Sequence, residues 1–63
     1  MTYNYLTNLI NYIATEENLD ARLNFYYQYD GAYTALFLAH AISTAEFHLY
    51  AEIARYILNE IFE

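Results

Sequence analysis

The chain has 63 residues with no cysteine and no proline, and eight acids against two arginines without a single lysine give it a net charge of −6. That length supports one domain, residues 1–63, and a chain so short buries only about 60% of the surface it exposes when unfolded, while the absence of cysteine excludes disulfides and thiolate metal centres. The missing cations exclude a nucleic-acid binder, whose affinity rests on Lys and Arg neutralising phosphates, and favour a protein partner with a basic surface.

Apolar residues recur with helical spacing along the whole chain, and the only glycine is Gly31. The sequence therefore predicts an all-α fold. The first helix is expected to start after Thr2 as N-cap, to carry Leu6, Leu9, Ile10 and Ile13 on one stripe, and to end near Ala14. The next apolar set, Leu19, Leu23 and Tyr26, lies about 120° away from that stripe on a wheel of roughly 100° per residue. One straight helix cannot bury both sets against one neighbour. A break is expected at Thr15, its hydroxyl capping a second helix whose positive end Glu16 and Glu17 favour.

The second helix is predicted to run to about Tyr29 and to stop in a left-handed turn at Asp30–Gly31. A third helix, Ala32 to Ile42, is apolar nearly all round and is expected to be enclosed on most sides, with Ala32, Ala35, Ala39 and Ala41 permitting close approach. Ser43 and Glu46 match a capping box, the sharpest local signal in the chain. From there a fourth helix runs towards Glu63 and buries Phe47, Tyr50, Ile53, Ala54, Ile57, Leu58 and Ile61. The expected architecture is a compact antiparallel bundle of four short helices, or three if the first two merge. Small scaffolds without disulfides or metals are commonly reinforced by association, so an oligomer is expected.

The stretch NFYYQYDGAY, Asn24 to Tyr33, places five aromatic rings in nine residues, counted from Phe25. They cannot all point inward from one helix, and Tyr at a surface gives contact area at low entropy cost while its hydroxyl stays wet. Tyr27 and Tyr29 are the candidates for a partner interface here. On the last helix Leu49, Glu52, Tyr56 and Glu60 share one side, alternating apolar anchors with carboxylates, a pattern suited to a partner with basic and apolar patches. The first helix carries no charge, and its outer face of Asn4, Asn8 and Asn11 flanked by Tyr5 and Tyr12 is the expected self-association surface, because uncharged groups cost less to bury.

Catalysis is not expected. The chain has no thiol, no glycine-rich phosphate loop and no lysine, and Ser43 serves as a cap. No cofactor or metal is expected either: His48 and Glu52 stand one turn apart and His40 is on another helix, but neither histidine has a Glu three residues before it. His40 is expected in the core or in a groove, bonded to backbone. The uncharged run GAYTALFLAHAISTA, 15 residues long, is shorter than the roughly 18 apolar residues of a spanning helix. An acidic helix without Lys is also repelled by anionic lipid. With no signal-peptide pattern at the N-terminus, a cytoplasmic location is expected.

Small size, acidity and surplus aromatics resemble, in composition only, the inhibitors that phages and mobile elements carry against host nucleic-acid-processing and defence proteins, anti-CRISPR proteins among them. Acids make up only about one residue in eight, too few for the rows of charge a DNA mimic presents. Contact through Tyr and Leu with acidic steering is the expected mode. The competing expectation is a self-assembling structural helical domain, a homodimer or larger.

Overall fold

The computed structural model describes residues 2–62, with side chains from Asn4 onward. It contains three helices, α1 (Thr2–Thr15), α2 (Leu19–Leu38) and α3 (Thr44–Phe62), and no strand among the described residues. In α1 the expected stripe faces inward: Leu6, Leu9 and Ile13 are buried and Ile10 is half-buried. The proposed Thr2 cap falls on a side chain outside those described.

The break after α1 is where the sequence places it, but another residue makes it. Thr15 is the last helical residue, and its hydroxyl donates back to the Asn11 carbonyl at 2.9 Å, the local bond that Ser and Thr readily form inside a helix. Because Thr15 still belongs to α1, three residues before α2 can start, Asn18 is the cap of α2 in extended geometry, its Oδ1 accepting from the Ala21 amide at 3.0 Å. Glu16 holds the connection, its Oε1 accepting from the amides of Glu17 at 3.0 Å and Asn18 at 3.1 Å. Arg22 completes the joint by donating from Nε to the Ile13 carbonyl at 3.0 Å, which places a cation at the negative end of α1.

The expected stop at Asp30–Gly31 does not occur. The second and third expected helices form one, α2, so the chain is three-helical through a merger other than that of the first two. Gly31 has no positive φ, and a side chain there would meet nothing within 4 Å. The cost of a mid-helix glycine, about 1 kcal/mol, is outweighed by the residues around it. Tyr29 and Tyr33 stand one turn apart on the same face, 0% and 6% exposed, and reach the core only if the helix continues between them. The left-handed residue is His40 instead, at φ 60°. Its amide donates to Phe37 O at 3.0 Å and that of Ala41 to Leu36 O at 2.8 Å, the bond pair of a Schellman stop. His40 is thus exposed in a turn, not in the core.

Two further expectations for this region fail for one reason: α2 has neighbours on only part of its circumference. Ala35, Leu38 and Ala39 are exposed, so the stretch is not enclosed. Leu19 is half exposed while Leu23 and Tyr26 sit at the margin, because Tyr29 and Tyr33 define the inward face.

The capping box opens α3 as expected, Glu46 Oε1 accepting from the Ser43 amide at 2.8 Å and Ser43 Oγ from the Glu46 amide at 3.1 Å. Ala54 and Ile57 are buried, and Phe47, Tyr50, Ile53, Leu58 and Ile61 are half-buried on the predicted stripe. Together Leu6, Leu9, Ile13, Tyr29, Tyr33, Ala54 and Ile57 make the core. Ring contacts tie α2 to α3: Tyr33 lies 5.5 Å from Phe47 and 6.2 Å from Tyr50, and Phe37 stacks on Phe47 at 4.3 Å. The Tyr29 hydroxyl donates across this joint to the Tyr50 carbonyl at 2.9 Å. Both α1 and α3 run antiparallel to α2, the central helix, and the molecule is a slab of 33 × 22 × 13 Å.

Candidate functional site

Where α1 and α3 face each other, contact is thin, because each packs chiefly on α2. Between their C-terminal halves lies a groove of about 180 Å³. Its floor is Ile10 and Ile13 from α1 with Ile53 and Ile57 from α3, its walls are Ala14 and Tyr56, and its polar rim is Arg22 and Glu60. Ile13 and Ile57 are also core residues, so the floor is continuous with the interior.

The outer wall extends along α3. Leu49, Glu52, Tyr56 and Glu60 are all exposed and follow one another at three- or four-residue spacing on one side of the helix. Leu49 is 55% and Tyr56 66% exposed, large apolar groups with their polar neighbours interleaved. The structure thus brings four of the sequence-derived partner residues together and sets two of them beside the groove.

Two others do not join them. Tyr29 is fully buried and is removed from the interface, since its ring and hydroxyl are both spent on the α2–α3 joint. Tyr27 is 65% exposed, but it sits two residues along the same helix and therefore on the back of α2, its ring edge-on to Tyr26 at 5.7 Å. Tyr5 and Tyr12 are exposed on the flank of α1 away from Ile10 and Ala14, and Tyr12 lies 5.4 Å from the half-buried Phe25. Asn4, Asn8 and Asn11 are exposed as expected.

Sequence reasoning missed the groove. It assigned Ile10 and Ile53 to buried stripes, which periodicity supports, but periodicity does not report the distance between two helices. Arg22 was the available signal, as one of only two cations and just beyond the end of α1.

Electrostatics set this end of the molecule apart. The C-termini of α1 and α3 both lie here, neither helix has a basic residue in its last turn, and Glu60 is joined by the exposed Glu17 and Asp20 and the half-buried Glu16 near the α1–α2 turn. The tyrosines with raised pKa values lie elsewhere. Burial first, then the hydrogen bond to Asp30 at 2.8 Å and its charge, push the Tyr33 hydroxyl up to about 12. Burial, then the neighbouring Tyr33 and Tyr50, pushes Tyr29 up as well. These are consequences of core placement rather than of a reactive site.

A wider depression of about 640 Å³ lies at the α2–α3 turn, bordered by Phe37, Leu38, His40, Ile42, Ser43 and Thr44. It is open to solvent and walled mainly by the turn, so the groove is the better-formed concavity. His48 and Glu52 lie on the exposed side of α3, apart from His40, and among the described residues no three His, Asp or Glu side chains converge as metal ligands would. No described helix is long and apolar enough to cross a membrane. No protein-family model, curated protein or solved structure matches the chain.

Proposed function

We propose that the chain is a protein-binding protein that covers a basic and apolar surface of its partner with the α3 strip Leu49, Glu52, Tyr56 and Glu60. The observation that carries this reading is the strip itself, two large exposed apolar side chains alternating with two carboxylates beside an apolar groove. Desolvated Tyr and Leu anchors supply affinity at such interfaces, and the acids steer encounter and reject acidic competitors. A chain of net charge −6 is suited to occluding a nucleic-acid-binding surface, which makes inhibition of a host nucleic-acid-processing or defence protein the favoured role.

Affinity capture tests this. Tagged chain is exposed to lysate of its native host and washed at low and high salt. One dominant stoichiometric partner is expected, retained in part at high salt because apolar contact survives screening. Complete release at moderate salt would favour charge mimicry, and recovery of the chain alone would leave the self-assembling domain as the better account. That second reading draws on the uncharged, exposed flank of α1 with Tyr5 and Tyr12. It predicts loss of helicity and mass on dilution to nanomolar concentration.

A further inference from the structure

The geometry points to the α1–α3 groove as the seat of one basic amphipathic helix of the partner, which inserts an apolar side chain between Ile10 and Ile53 and sets Lys or Arg against Glu60. This rests on the protein-binding reading above and specifies its partner. Shape is the first ground. α1 and α3 run in the same direction, and a gap between two such helices accepts a third laid along it, the helix-in-groove mode with anchors at i, i+3 or i+4. The α3 wall from Ile53 to Glu60 spans about 10 Å at roughly 1.5 Å per residue, which is two turns. A volume of about 180 Å³ is below the roughly 300–1,000 Å³ of small-molecule pockets, which suits an inserted apolar side chain better than a whole small ligand.

Charge is the second ground and selects the occupant. The C-terminus of α3 has no basic residue in its last turn and presents the negative end of its dipole, while that of α1 is already met by Arg22. Glu60, Glu16, Glu17 and Asp20 add formal charge nearby, while Arg22 has its Nε on the Ile13 carbonyl. The complementary segment is cationic. A second copy of this chain offers only Arg22 and Arg55 in 63 residues, so it complements the groove poorly.

The test titrates the isotope-labelled 63-residue chain with a designed Leu/Lys amphipathic peptide, the same peptide with Glu for Lys, and a Leu-scrambled Lys peptide. Shift changes are expected to centre on residues 10–14 and 53–60 for the first peptide only. Glu60→Lys, at an exposed position, is expected to weaken that binding at least about tenfold, since like charges oppose across a contact. Shift changes on the back of α2 or only at the acidic turn overturn the inference, as does equal binding of the Glu or scrambled peptide. Equivalent changes on concentrating the chain alone would assign the groove to a second copy and also overturn it. Capture from lysate separates the two levels. If the partner is lost by Leu49→Ala yet retained by Glu60→Lys and Tyr56→Ala, the groove assignment fails and the broader reading stands, whereas absence of any partner removes the broader reading.

Discussion

The two joints of the slab differ in what fills them. Between α2 and α3, the rings of Tyr29, Tyr33, Phe37, Phe47 and Tyr50 reach across the gap, and the Tyr29 hydroxyl closes on the Tyr50 carbonyl at 2.9 Å. Between α1 and α3, four isoleucines meet with Ala14 and Tyr56 beside them and Arg22 and Glu60 at the rim, and about 180 Å³ stays open. Large rings fill the middle of the α2–α3 joint, while short aliphatic side chains at the α1–α3 joint leave a concavity. The aromatic density of NFYYQYDGAY is therefore spent mainly on stability, and the recognition proposed above is assigned to the joint those rings do not reach.

The comparison breaks most readily at Tyr29. Tyr29→Ala is expected to cost about 3 to 5 kcal/mol, as for other buried aromatics, against a total of roughly 3 to 9 kcal/mol for a chain of this size. Loss of cooperative urea unfolding is the expected readout; a mild effect would mean the α2–α3 joint is not what holds the fold. Tyr29→Phe, which removes only the hydroxyl, should cost about 1 kcal/mol.

Alkaline titration examines the same joint without mutation. Tyrosine ordinarily titrates at 10.0, and Tyr33 is held at about 12 in the fold, with Tyr29 also raised. The folded state keeps these protons after the unfolded chain has lost them. Stability is thus fully present below pH 10 and falls as pH rises through 10 towards 12. The last tyrosinate absorbance to appear, from Tyr29 and Tyr33, should accompany the loss of helicity; titration of every tyrosine with helicity intact would contradict the buried placement.

The smallest expected effect concerns the glycine between the two core tyrosines. Gly31→Ala should stabilise by about 0.4 to 1 kcal/mol, because the position is helical and open. Destabilisation would restore the stop that the local sequence suggests.

Some of this was legible in the sequence and some was not, for physical reasons. The Ser43–Glu46 box and the stripes of α1 and α3 depend on local spacing alone, and they appear where spacing puts them. Asp30–Gly31 also reads as a local stop, but burial of Tyr29 and Tyr33 overrides it. In α2 apolar residues are spread around the axis, so Leu19, Leu23 and Tyr26 were as credible an inward face as the true one. Exposure of Leu49 and Tyr56 followed from their place outside the α3 stripe. The groove beside them depends on how far apart two helices sit, which no single-helix pattern encodes.

The central claim is that the α3 strip recognises a partner independently of the aromatic joint that holds the fold. Measuring Tyr56→Ala for helicity and for affinity to the captured partner, beside the unsubstituted chain, tests it most directly. Unchanged helicity with affinity reduced by roughly 2 kcal/mol, as at a binding hot spot, is predicted. Full affinity with helicity intact, or loss of the fold itself, would contradict it.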